Sequence, residues 1–186
     1  DLLAHEVFSV SEQQGDKKLM LRSLIAEIKA LILKDELTRA YEKCRQAEEI
    51  AIKNGFNILH IHIIVDIGTT FLVGGFHSEG MKYLLKALNL AQEINDPDIK
   101  GYANYQLALA YYDMNELERC RDNIKAAISS AIQTNKHVRL INSYILLSNT
   151  FEDTDSANHY LNLADSIVSG HPAKQYEKAV IRNNQA

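Results

Sequence analysis

The chain has 186 residues, with 20 Lys and Arg against 24 Asp and Glu, giving a net charge of −4; this mild acidity argues against broad electrostatic binding to nucleic acid or to an anionic membrane surface. It contains 8 Gly and 2 Pro, below the average usage of about 7% and 5%, which disfavours a turn-rich sandwich or barrel and favours helices. Two cysteines, Cys44 and Cys120, are too few for a disulfide framework or a cysteine-rich zinc module.

Taken in chain order, residues 2–13 read as a helix, and Ala4 and Val7 fall where the second helix of an earlier unit would carry its packing residues. The sequence is therefore expected to be part of a longer protein. Helices are then expected over 18–34, 36–53, 58–73, 77–94, 98–113, 116–134, 137–151, 154–169 and 173–184, with no strand. The breaks between them carry Gly, Asn, Asp or Pro, the strongest local punctuators of a helical pattern. Asp35, Gly75 and Asn115 occupy one slot in successive breaks, and these residue types tolerate the left-handed backbone that ends a helix.

The pattern repeats with a period of 40 residues, in units beginning near Leu21, Ile61, Gly101 and Ile141. The second helix of each unit carries small or apolar residues at i, i+4 and i+7, on one helix face. They are Ala40, Cys44, Ala47; then Gly80, Leu84, Ala87; then Cys120, Ile124, Ala127. The fourth set, Ala157, Leu161 and Ala164, comes three residues early, so its interhelix turn around 152–155 is shortened.

Paired antiparallel helices at a fixed period define an α-solenoid. The residues resemble the tetratricopeptide repeat (TPR). Leu107-Ala108 with Tyr111, Ile67-Gly68 with Phe71, and Tyr144 with Leu147-Ser148 and Phe151 match its first-helix pattern, whereas Glu27-Ile28 replaces Leu-Gly in the first unit. The resemblance covers roughly residues 18–169 and implies an all-α, right-handed solenoid of about four repeats, a single domain over 1–186. The usual period of that family is about 34 residues. A period near 40 resembles the TPR-like sensor portions of bacterial signalling and transcription regulators.

No chemistry stands out. The segment Gly75–Lys82 has two glycines near a lysine, but Met81 sits where a phosphate loop needs Lys, and a helix precedes it in place of a strand. His60 and His62 point about 200° apart on a helix and cannot chelate one ion together. Cys44 and Cys120 occupy packing slots and are expected to be core residues not bonded to each other. No catalytic residue, metal or cofactor is assigned.

A solenoid lines its concave side with first-helix residues not used in packing. Those slots hold His62, Val65, Asp66, Thr69 and Leu72 in unit two. In unit three they hold Tyr102, Tyr105, Gln106, Leu109, Tyr112 and Asp113, and in unit four Asn142, Ile145, Leu146 and Asn149. Tyrosine area beside amide donors and acceptors suits a peptide. The binding candidates are thus Tyr102, Tyr105, Tyr112, His62, Thr69, Asn142 and Asn149. The expected function is non-catalytic binding of a protein or peptide segment within a regulator, without direct nucleic-acid binding or membrane insertion. The alternative is a self-association scaffold, a homodimer. Residues 173–184, with Ala173, Tyr176, Ala179 and Val180 on one face, are expected to cap the last unit over Leu161 and Ala164.

Overall fold

The computed structural model describes residues 2–170, with side chains from Glu6 onward. The expected capping helix at 173–184 lies outside the described residues. The elements in order are α1 (Leu2–Gln14), α2 (Lys17–Leu33), α3 (Leu37–Lys53), α4 (Asn57–Val73), α5 (His77–Glu93), α6 (Pro97–Asp113), α7 (Leu117–Gln133), α8 (His137–Ser148) and α9 (Thr154–Ser169). No strand occurs among the described residues.

The punctuation is more regular than the sequence alone suggests. From α2 to α7 every helix has 17 residues. Positive φ angles fall at Gly15, Asp35, Gly55, Gly75, Asn95, Asn115 and Asn135, one every 20 residues. At each of these sites except Asn95, the next N–H reaches back five residues to a helix carbonyl, as Glu36 does to Leu31 (2.9 Å) and Lys136 does to Ala131 (2.8 Å). This is the Schellman bond, which satisfies a carbonyl orphaned at the helix end. Asp16, Asp96 and Asp153 cap the N-termini of α2, α6 and α9 through their carboxylates, and Pro97 follows Asp96 at the first helical position.

Two compact units divide the chain, the first ending at Ile94 and the second beginning at Asn95. In the first, α1 to α5 pack successively, and α4 also touches α2. The first helices thus form one layer and the second helices another. Ala40, Cys44, Ala47 and Ala51 of α3 have no exposed surface, so these small residues let α3 lie close against its neighbours. Leu24, Ile28, Leu31, Ile63, Ile67 and Phe71 fill the interior.

The pair α4 and α5 approaches most closely at two glycines. A Cβ on Gly80 would lie 2.8 Å from the Gly68 carbonyl oxygen, and one on Gly68 would lie 3.0 Å from the Gly80 oxygen. Gly68 is the glycine of the Leu-Gly-like pair in the repeat pattern, and backbone contact is its physical reason.

In the second unit α6 to α9 pack successively, and α8 also touches α6. Cys120, Ile124, Ala127 and Ala131 of α7 are fully buried. Leu161, Ala164 and Val168 of α9 meet Ile141 of α8. The 20-residue rhythm ends here, because α8 stops at Ser148, three residues before the expected end at 151. Phe151 turns back to stack on Tyr160 (5.5 Å between ring centres).

Candidate functional site

The direct contact of α6 with α8 sets the geometry of a pocket of about 510 Å³ in the second unit. Tyr102, Tyr105 and Gln106 come from α6. Asn135, Lys136, His137, Val138 and Arg139 come from the turn before α8 and its first residues, and Asn142 from one turn further on. The left-handed Asn135 (φ 55°) ends α7 and aims the chain so that the start of α8 closes one side.

Behind this lining, Asp98 of α6 binds two cations. Arg139 Nη1 donates to the Asp98 backbone oxygen (3.0 Å) and carboxylate (2.5 Å), and Lys136 Nζ lies 2.8 Å from the other carboxylate oxygen. The Arg139 guanidinium also lies 5.9 Å from the Tyr102 ring centre, within the range of a cation–π contact. Burial pushes the Asp98 carboxyl up, but the hydrogen bonds and charges of Lys136 and Arg139 outweigh it and hold the group below the usual carboxylate range.

A carboxyl with a depressed pKa stabilises the fold above its unfolded pKa of about 3.9 and loses that contribution as pH falls through the lower folded value. Melting curves between pH 7 and pH 2 should therefore fall more steeply for the wild type than for Asp98→Asn. Parallel curves would show that the two cations do not act on Asp98 in solution.

Of the sequence candidates, Tyr102, Tyr105 and Asn142 share this pocket. Tyr105 also packs on the Ala108, Cys120 and Leu147 cluster, and burial raises its hydroxyl pKa. It serves core and pocket at once. Tyr112 packs against the same cluster outside the pocket lining. Asn149 is the exposed residue that ends α8. His62 and Thr69 belong to α4 in the first unit, where the Thr69 hydroxyl donates to the Asp66 carbonyl (3.0 Å). Val65 and Leu146, expected on the open face, are buried at 0% and 5% exposure. Lys136, Arg139 and Asp98 were not expected as neighbours of the site, because a first-helix wheel does not show where the preceding turn folds.

The first unit has a smaller pocket of about 300 Å³ between α3 and α5, lined by Tyr41, Glu48, Glu79, Lys82, Tyr83 and Lys86. Its charges are matched internally: Lys86 pairs with Glu48, and Lys82 lies 3.8 Å from Glu79. Beneath it, burial pushes the Cys44 thiol up to about 12, with the Tyr83 contact acting the other way. Burial likewise raises Cys120 to about 11. Both cysteines are buried and unbonded, and as protonated thiols they lack the thiolate character of a nucleophile. Among the described residues no three His, Cys, Asp or Glu side chains are grouped to hold a metal ion. No described helix is long and apolar enough to cross a membrane. The Gly75–Lys82 segment forms the α4–α5 turn and the start of α5.

No protein-family model matches the chain, and no curated protein matches it. Solved structures do. A signal-transduction ATPase with a tetratricopeptide repeat sensor from Pyrococcus horikoshii superposes with a TM-score of 0.71 at 16% identity, over 91% of this chain and 27% of that one. Aspartyl phosphate phosphatase F from Bacillus subtilis gives 0.69 at 18% identity, over 83% and 42%. BtubC from P. vanneervenii gives 0.64 at 17% identity, over 83% and 65%. The chain thus spans less than two thirds of each of these proteins. At these identities the likeness establishes architecture: the chain has the TPR-like helical-repeat fold.

Proposed function

We propose that the chain is a non-catalytic interaction module that holds an extended peptide or protein segment in the pocket between α6 and α8, as part of a larger signalling or transcription regulator. The observation that carries this reading is the pocket itself. Two tyrosines supply rigid apolar area, while Gln106, Asn135 and Asn142 supply amides that can pair with a peptide backbone. The likeness in fold to a signal-transduction ATPase that carries a tetratricopeptide repeat sensor supports the regulatory setting.

The test begins by panning a phage-displayed random dodecapeptide library against the full chain. A recovered peptide should bind Tyr102→Ala roughly thirtyfold more weakly than wild type, the loss of about 2 kcal/mol expected of an aromatic anchor. Helical content and melting temperature should hold, because Tyr102 is only partly buried. Unchanged affinity, or no peptide recovered, would defeat the reading.

Self-association is the second reading. It is favoured by Leu33 and Val73, which hold the same slot 40 residues apart and are 66% and 80% exposed. A molar mass by light scattering that doubles with concentration, and reverts to monomer with Leu33→Glu and Val73→Glu together, would support it.

A further inference from the structure

Resting on the peptide-binding reading, we infer that the α6–α8 pocket selects segments in which an acidic side chain lies next to an aromatic or aliphatic one, with Lys136 taking the carboxylate and Tyr102 and Tyr105 the apolar neighbour. The lining contains two permanent cations, Lys136 and Arg139, and no acidic residue. The carboxylate paired with them, Asp98, is one negative charge shared between two positive ones. The pocket therefore keeps about one unit of positive charge within a unit that otherwise carries more Asp and Glu than Lys and Arg. A local charge of that sign in a partly desolvated cleft favours an anion and opposes a basic ligand.

The two cations are not equivalent. Arg139 is 17% exposed at its side chain, donates to two oxygens of Asp98 and lies over Tyr102. It is fixed, and acts as a positioning residue that holds α8 against α6 and orients the tyrosine. Lys136 is 49% exposed and contacts Asp98 at the end of a flexible four-carbon stem. When a ligand carboxylate enters, Lys136 can turn to it while Arg139 continues to neutralise Asp98, so the half-buried Asp98 charge keeps a partner. Val138, 47% exposed, extends the apolar surface beside the tyrosines. Asp98 is already doubly engaged, so a ligand Lys or Arg would find no unshared carboxylate in the pocket.

The recovered dodecapeptides provide the test. Their sequences should be enriched in Asp or Glu beside Tyr, Phe, Leu or Ile, and binding should weaken as salt is raised from 50 mM to 500 mM. In one enriched peptide, Glu→Gln should weaken binding to wild type roughly tenfold and leave binding to Lys136→Met unchanged, a pairwise coupling rather than a general loss. Peptides recovered with no acidic preference, or with a basic one, would overturn this inference and leave the peptide-binding reading standing. So would an equal Glu→Gln penalty on both proteins. Recovery of no peptide would overturn both.

Discussion

Phe71→Ala is expected to lower the unfolding free energy of the first unit by about 3–5 kcal/mol. Phe71 has no exposed surface. Its ring is stacked between Tyr41 of α3 (5.3 Å) and Tyr83 of α5 (5.6 Å), and meets Phe76 of the turn edge-on (6.2 Å). Removing it costs the transfer energy of a whole ring, leaves a cavity, and also cancels three aromatic contacts. Against a typical total of about 5–15 kcal/mol, such a loss is large. Urea denaturation followed by helical circular dichroism measures it. Phe71→Leu, which keeps most of the apolar volume, should cost clearly less. A loss below about 1 kcal/mol for Phe71→Ala would mean that α3 and α5 do not meet on this ring.

Gly80→Val should destabilise by about 3 kcal/mol, the upper part of the range for forcing bulk into a packed interior. Two effects oppose each other. Replacing a helical glycine by valine ordinarily gains only a few tenths of a kcal/mol of helix propensity, roughly 0.3. Here the added Cβ would lie 2.6 Å from Leu72 Cγ and 2.8 Å from the Gly68 carbonyl oxygen. Leu72 can change rotamer, but the carbonyl is fixed in the α4 ladder, so the helices must separate. The control is Gly15→Ala, where a Cβ meets nothing within 4 Å and the φ of +70° supplies the only strain. If Gly80→Val proves no more damaging than Gly15→Ala, the close crossing of α4 and α5 is wrong.

The repeat was legible because its packing residues are small and recur in fixed slots. Ala40, Cys44 and Ala47 have counterparts 40 and 80 residues on, and each of those second helices shows a clean buried stripe. Helix ends were legible through Asp35, Gly75 and Asn115, whose left-handed backbone the residue types already suggest. The pocket was legible only in part. Tyr102, Tyr105 and Asn142 lie on first helices, where periodicity can place them. Lys136 and Arg139 reach the site because the Asn135 turn folds the start of α8 toward α6, and helical periodicity carries no information about that path. The burial of Val65 and Leu146 was missed for a related reason. A helix in contact with both its pair partner and the preceding first helix covers more than one face, as α4 and α8 do.

Within each unit, the described helices pack chiefly on their chain neighbours or on the helix but one away, which bears on how quickly each unit reaches this structure. Contacts close in sequence need little loop closure before they become favourable, and helical proteins of this kind fold in microseconds to milliseconds. Within a unit, a nucleus can form at any adjacent pair and grow outward in either direction. The tight α4–α5 and α6–α7 hairpins, each joined by three residues, are where ordering should start, with α1 and α9 joining last.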